Sequence, residues 1–401
     1  MKRYWKIITI CLVTVIVIGA FYIQSSLAAE NIIIEFEKIS GNENEVKNVT
    51  LNADFVVDEV HQSLLISDKE TKNLTNQSLV QQFTGSNTVA AYKQLIEKYG
   101  KFMRGKDLLL NNFYEDENLV AYVSVERKGI NGSSLDSFFD IDVLDKESKK
   151  STSMRLDIPK KENYGWVDVV DIQIVDGNLK VIARGYRRTS GVQDLNVYTI
   201  DVEDQKVVND EIIYSTPAVE NGMADIRILN DYYSSQPEKY ILFKAEVSYA
   251  YEHFEGKGEP TLVANDVMVY DIENNQTKKI GMDEEELGFS SDSYSIFEST
   301  LYIPSQTPNG LEVTQYDIEA EKWGEKQVVD VVFSGKEVDA PYMKQLNGKI
   351  YIISSTRDGH TLSIRDLNTE ESLYEGKLKV KNQKANQKDY RLYFFDIQDA
   401  G

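Results

Sequence analysis

The chain has 401 residues, with 65 acids against 44 lysines and arginines and a formal net charge of −21. A balance that acidic excludes general nucleic-acid binding, which needs basic surface to displace counterions, although it leaves room for a local basic site. Cys11 is the one cysteine, so the rest of the chain has no disulfide, no thiolate metal site and no thiol nucleophile.

The first 29 residues hold Lys2, Arg3 and Lys6 and no acid, so the remainder carries −24. Ile7 to Ile23 is an uncharged apolar run of 17 residues, just long enough to span a bilayer as a helix. Trp5 and Tyr22 sit near its ends, where aromatic rings favour the membrane interface. Ser26-Leu27-Ala28 offers small residues where a signal peptidase reads. Residues 1–29 are therefore expected to be a signal-anchor or a signal peptide, and residues 30–401 an extracytoplasmic domain. As an anchor, the segment leaves about six residues inside the cell. Cleaved near Ala28, it leaves a secreted protein. A large exported domain free of disulfides points to a bacterial cell envelope, attached to the cell membrane through residues 7–23.

Beyond the leader, residues 31–83 are rich in β-branched and aromatic side chains, with Ile32 to Phe36, Val49 to Val57 and Leu64 to Ile66 as the clearest strand-like runs. The spacing then changes. Val89, Tyr92, Leu95, Ile96, Tyr99, Phe102 and Met103 recur at helical intervals. Ser86 or Asn87 is placed to cap the start, and Gly100 weakens the last turn. An amphipathic helix at about 87–103 is expected, its apolar stripe packed on a β-domain.

From Asp107 onward the pattern becomes regular, with units at 107–157, 164–214, 223–282, 292–332 and 341–380, each offering four β-runs. In the unit 164–214 the first two runs are joined by Asp176-Gly177-Asn178, a tight hairpin signal. An acidic turn phrase stamps the chain. It is clearest at Tyr270-Asp271-Ile272-Glu273, and its other copies are headed by Asp68, Asp145, Asp201, Asp317, Asp366 and Asp396. Successive copies stand 77, 56, 70, 46, 49 and 30 residues apart. The helix explains the 77, and an aromatic-rich insertion at 246–262 explains the 70. Four strands at a base period of 46–50 residues match the blade of a β-propeller. The expected fold is all-β: a single β-propeller of four-stranded blades, six preferred and seven possible. The final run, Leu392 to Ile397, pairs with N-terminal strands to close the ring.

The search for chemistry is mostly negative. The chain has no nucleophile elbow, no phosphate loop and no His-Glu-x-x-His. His61, His253 and His360 have no ligand-spaced neighbours. The acidic phrases lack the dense oxygen spacing and the glycine of a calcium loop. No metal, cofactor or catalytic residue is expected, and the Asp heading each phrase is read as turn chemistry, its side chain bonding the local backbone. What remains is an asymmetry. The loops joining second and third strands carry Arg127, Arg187, Arg188, Tyr249, Tyr251, His253, Phe254, Arg357 and His360. A propeller gathers such loops around its channel mouth. Arginine suits phosphate and carboxylate, and aromatic rings suit sugars and protein contacts. The expected role is a membrane-anchored binding or scaffold protein recognising a partner protein or an anionic or carbohydrate envelope ligand. Two other classes stay open. One is an enzyme acting on a carbohydrate or phosphorylated substrate at the mouth; the other is an accessory sensor of a neighbouring membrane protein.

Overall fold

The computed structural model describes Thr14 and residues 32–57, 60–75, 90–127, 137–230, 234–249, 262–282, 294–307, 310–329, 341–356, 359–367, 369, 371–381 and 390–399. Apart from Thr14, the apolar segment 7–23 and the expected anchor lie outside the described residues. Among the described residues no helix is long and apolar enough to cross a membrane.

From residue 32 onward the described residues begin with β1 (Ile34–Gly41), β2 (Val49–Val57), β3 (Val60–Ser67) and β4 (Thr71–Asn73). After helix α1 (Ala90–Tyr99) come four antiparallel sheets in succession. The first is β5 (Phe113–Glu115), β6 (Leu119–Arg127), β7 (Ser137–Asp145) and β8 (Ser151–Asp157). The second is β9 (Tyr164–Val175), β10 (Asn178–Arg187), β11 (Gln193–Asp201) and β12 (Lys206–Ser215). The third is β13 (Gly222–Ile228), β14 (Tyr240–Tyr249), β15 (Leu262–Asp271) and β16 (Gln276–Ile280). The fourth is β17 (Ser295–Phe297), β18 (Thr300–Thr307), β19 (Gly310–Asp317) and β20 (Lys322–Trp323), with β21 (Gln327–Val329) also on β19. The chain ends in β22 (Tyr342–Leu346), β23 (Lys349–Thr356), β24 (Gly359–Asp366), β25 (Ser372–Val380) and β26 (Arg391–Asp399).

Strand β1 adds to the edge of β25, and β26 pairs with β2, so the remaining sheet runs β26-β2-β3-β4. The expected pairing of the final run with N-terminal strands is present, with Ile397 opposite Leu51 and Leu392 opposite Phe55. The transfer of β1 to the sheet of the last unit was not part of the sequence expectation. Among the described residues, six antiparallel sheets, most of four strands in simple order, make an all-β fold consistent with a β-propeller.

Contacts group the chain into two compact units, residues 1–87 with 330–401, and residues 88–329. In the first, two sheets share a core that includes Leu51, Phe55, Ile66, Tyr351, Leu362 and Ile397. The same unit holds a buried ion pair, Asp396 Oδ1 to Lys344 Nζ at 2.6 Å, and Asp396 Oδ2 also accepts from Asn52 Nδ2 (3.2 Å) and Gln398 Nε2 (2.7 Å). This corrects the reading of Asp396 as the head of a turn phrase. It lies inside β26, and side-chain donors, not a turn backbone, satisfy it.

In the second unit the sheets stack one on the next, and alternation along each strand decides which neighbour a side chain meets. Leu179, Val181 and Ala183 of β10 pack with Phe139 and Ile141 of the first sheet. Ile182, between them, packs the other way with Ile226 and Phe243 of the third. Tyr240 and Leu242 of β14 meet Leu301 and Ile303 of the fourth. Strands covered on both faces read as near-continuous apolar runs, and each fully buried aliphatic or Phe side chain stabilises by about 1.5–3 kcal/mol. Helix α1 covers the remaining face of the first sheet, Tyr92 and Leu95 packing with Phe113, Val120 and Tyr122. The helix is shorter than its apolar stripe. It stops at Tyr99, before Gly100, and Phe102 and Met103 are buried from the turns that follow. Ser86 and Asn87, the expected caps, lie outside the described residues.

The acidic phrases behave as turn chemistry predicts. The carboxylates of Asp145, Asp201, Asp271, Asp317 and Asp366 accept the backbone N–H three residues on, at Ser148 (2.6 Å), Asp204 (2.9 Å), Asn274 (3.0 Å), Ala320 (2.8 Å) and Thr369 (2.8 Å). The residue four beyond the Asp turns left-handed in Lys149, Gln205, Asn275 and Glu321, with φ of 52–56°. At the first copy, Ser67 takes over from Asp68, its Oγ accepting from the Glu70 N–H at 3.2 Å.

Candidate functional site: a polar cleft on a bulged strand

The site is built on β9 in the unit 88–329. Opposite β10, Asp168 faces Arg184, Val169 faces Ala183 and Asp171 faces Ile182, so Val170 is an extra residue with no partner. On a regular strand, residues three apart point to opposite faces. The bulge removes that reversal, and Asp168 and Asp171 both line one cleft of about 480 Å³. Its other walls come from Ser124–Arg127 of β6, Ile226–Ile228 of β13, and the segment Asp107–Asn112.

Arginine 184 organises one side. Its Nη2 and Nε donate to the two oxygens of Asp168 at 3.2 and 3.5 Å, and its Nη1 donates to the Ile226 carbonyl at 2.6 Å. The guanidinium lies 5.1 Å over the Trp166 ring, a stacked cation–π contact. Burial raises the Asp168 carboxyl above its ordinary range, and the Arg184 and Arg127 charges oppose that rise without cancelling it.

Asp171 has a thinner set of partners. Gln173 Nε2 donates to its Oδ2 at 3.0 Å, while Gln173 Oε1 accepts the Glu238 backbone N–H at 3.0 Å, so one buried glutamine spans two acidic positions of the wall. Burial pushes the Asp171 carboxyl up to about 7, against the lowering effect of Gln173 and the Ile172 backbone. Two carboxyls on one strand face are thus set apart by their surroundings: one held by an arginine, the other titrating close to neutral pH.

Two asparagines complete the wall. Asn111 Nδ2 donates to the Val169 carbonyl at 3.0 Å, and Asn112 Nδ2 donates to both oxygens of Asp107 at 3.2 Å. Both partners are pure acceptors, so the amide orientation is settled. The Oδ1 atoms of both residues are buried and without a partner. A buried acceptor left unpaired costs about 1–3 kcal/mol, and both residues belong to the cleft wall. Among the described residues no cluster of His, Cys, Asp and Glu is arranged to hold a metal ion.

Of the residues expected from the sequence, Arg127 lines this cleft, exposed and without an ion pair to any described residue. Arg187 and Arg188 belong to the same unit but do not line it. Arg187 Nε donates to Asp194 Oδ2 at 2.7 Å, and the exposed Arg188 donates its Nε to the Glu162 carbonyl at 3.1 Å. Tyr249 ends β14, exposed, opposite Gly222. His360 lies buried in β24 of the other unit, against Phe394 and Tyr390 with ring centroids at 5.4 and 6.5 Å. Tyr251, His253, Phe254 and Arg357 lie outside the described residues. Sequence reasoning missed Asp168, Asp171, Arg184, Trp166, Asn111 and Asn112. Its available signal was the pair Val169-Val170 between two acids, a break in period-2 alternation that marks a bulge.

No family model matches the chain, and no curated protein sequence matches it. Among solved structures it is similar to a luciferin-regenerating enzyme at 12% identity, covering 67% of this chain and 75% of that one with a TM-score of 0.31. It is similar to the β-propeller domain of the Trilobed protease from Pyrococcus furiosus, with its open velcro topology, at 9% identity over 88% and 86% of the two chains with a TM-score of 0.31. A third likeness is to an uncharacterized protein from Listeria monocytogenes EGD-e, at 11% identity over 68% of each chain with a TM-score of 0.37. At these scores none of them bears on what the cleft does.

Proposed function

We propose that the chain is an extracytoplasmic β-propeller, tethered to a bacterial cell membrane through residues 7–23, that binds a small hydroxyl-rich envelope ligand, a carbohydrate, in the cleft of its 88–329 unit. The observation that carries the binding role is the cleft itself, with the Asp168–Arg184 pair and Asp171 on one strand face beside the Trp166 ring. Sugar hydroxyls are donors for such carboxylates, and aromatic rings offer apolar faces for ligands. The cleft volume is of the size that small-ligand sites occupy, and Trp166 supplies an apolar face beside the polar groups. Titration calorimetry of the purified chain against envelope saccharides tests the reading. Trp166→Ala, shown to be folded by circular dichroism, should weaken binding roughly three- to tenfold; unchanged affinity counts against the cleft. The tether is tested separately: the full chain should stay in the membrane pellet through an alkaline wash, and its release would remove the anchor.

A second reading, a hydrolase acting on the same ligand class, is favoured by one observation. The bulge puts Asp168 and Asp171 in one cleft, with the Asp171 carboxyl raised to about 7 by burial and Asp168 paired to Arg184. Carboxyls driven apart in this way serve as acid and base in glycoside hydrolysis. Release of reducing ends from an envelope glycan, lost in Asp171→Asn, would establish it. No release over a long incubation would leave the binding role alone.

A further inference from the structure

The charge of the cleft is unevenly placed. Its walls carry five carboxylates, on Asp107, Glu126, Asp168, Asp171 and Glu238, against three arginines, Arg127, Arg184 and Arg227. The positive charge gathers on Asp168. Arg184 donates two hydrogen bonds to that carboxylate, and the Arg127 charge acts on it as well. Asp171 has no such company. Its one side-chain donor is the neutral Gln173 amide, on Oδ2, and no arginine or lysine of the described residues acts on it. Its Oδ1 takes no side-chain donor and, unlike Oδ1 of Asn111 and of Asn112, keeps contact with solvent. Asp171 is half-buried and lines the cleft, so that contact is made through the cleft.

A carboxylate in a desolvated place is stable beside a partner of opposite charge; without one it takes up a proton. Asp171 lacks that partner within the chain. Building on the carbohydrate-binding reading above, we infer that the ligand is an amino sugar whose ammonium group seats on Oδ1 of Asp171. Asp168 and its arginines stand three strand residues away, up to about 10 Å. Arg184 is matched there by Asp168, and the exposed Arg127 is screened by solvent over that distance. A neutral sugar reaches Oδ1 with a hydroxyl and leaves the carboxylate without a counter-charge. An acidic sugar sets a second anion beside it. The ammonium alone supplies both a donor and the missing charge. Burial raises the Asp171 carboxyl to about 7, and it holds an ammonium only when ionised, so the affinity is lost as pH falls below 7. Asp168 is raised too but keeps its arginine.

The test is calorimetry on the full chain in detergent with four probes: glucose, glucosamine, N-acetylglucosamine and glucuronate. At pH 7 glucosamine should bind at least tenfold more tightly than glucose or N-acetylglucosamine, which carries the same nitrogen without its charge, and glucuronate most weakly. From pH 7 to pH 5 the glucosamine affinity should fall a further tenfold or more as Asp171 takes up its proton, while that of N-acetylglucosamine changes less. Asp171→Asn should bring the glucosamine to N-acetylglucosamine ratio close to one and flatten the pH profile. Equal affinities for these two sugars in the parent protein, or a preference that pH 5 leaves intact, would overturn the inference while the carbohydrate reading stands; neither result depends on the variant. A preference that folded Asp171→Asn retains, or tighter binding of glucuronate, would overturn it as well. Absence of binding by all four probes would bring down the carbohydrate reading and this inference together.

Discussion

Asp194 and Asp171 are both embedded in the second sheet of the 88–329 unit, and their surroundings are completed in opposite ways. Asp194, fully buried on β11, has donors for both oxygens: Tyr164 Oη at 2.9 Å and Arg187 Nε at 2.7 Å on Oδ2, and Ser215 Oγ at 2.7 Å on Oδ1. Asp171 has one side-chain donor and faces a cleft with unpartnered acceptors in its wall. A closed network of buried polar groups rigidifies the strands it ties, whereas an incomplete one is poised for a group from outside. What separates the two places is the set of side-chain donors each acid holds, Tyr164, Arg187 and Ser215 on Asp194 against Gln173 on Asp171; the Asp194 network itself leaves Nδ2 of Asn196 buried and unpaired.

The contrast is broken most directly at its closed end. Asp194→Ala leaves the Ser215 hydroxyl and part of the Arg187 guanidinium without their acceptor, and leaves the Tyr164 hydroxyl with Asn196 Oδ1 alone, at 3.0 Å. Removing one member of such a network should lower stability by about 3 kcal/mol, the lower part of the range for a broken buried pair because Arg187 can turn to water. Urea unfolding measures it. A loss under about 1 kcal/mol would mean that the network is no more structural than an exposed pair.

The open end answers with the opposite sign. In the folded chain burial holds the Asp171 carboxyl at about 7 instead of the ordinary 3.8. The folded state therefore binds that proton more tightly than the unfolded chain does. The stabilising contribution is complete below about pH 4 and is lost as pH rises toward 7. Asp171→Asn cannot ionise. It should match the parent at pH 4 and exceed it by about 1–3 kcal/mol at pH 8, a figure reduced from the full shift because the group opens on the cleft. Melting temperature followed against pH reads this out, and superimposable curves would erase the difference between the two acids.

The two regions were unequally visible from the chain. Strand order and turns were legible because they rest on local chemistry. Asp201 and Asp271 cap their turns from within a four-residue stretch, and the hairpin at Asp176-Gly177 needs only two residues with positive φ. The apolar runs of β10 and β14 gave away the sheets because burial on both faces leaves no other composition. The cleft was illegible for a different reason. Asp168 and Asp171 look like solvent positions on an alternating strand, and only the extra residue at Val170 brings them to one side. Asn111 sits 58 residues from its Val169 partner, a separation no periodicity reports. Asp396 shows the converse error. Its phrase copies the turn composition, yet pairing with β2 places it mid-strand.

The smallest effects sharpen the comparison at a single dipeptide. Arg187 and Arg188 look interchangeable in sequence, two arginines at the end of β10, and both suit a ligand-binding loop. In the fold Arg187 is the charge partner of the buried Asp194, and Arg188 is exposed, reaching the Glu162 carbonyl. Arg187→Ala leaves Asp194 with hydroxyl donors only and should cost about 1–2 kcal/mol, since Arg187 is itself partly exposed and solvent screens the loss. Arg188→Ala should stay within about 0.5 kcal/mol of the parent, as surface substitutions do. Because neither side chain lines the cleft, saccharide affinity should be the same in both variants and in the parent. If affinity falls in Arg188→Ala while stability holds, recognition extends beyond the cleft to the loop after β10, and the line between closed and open regions has to be redrawn there.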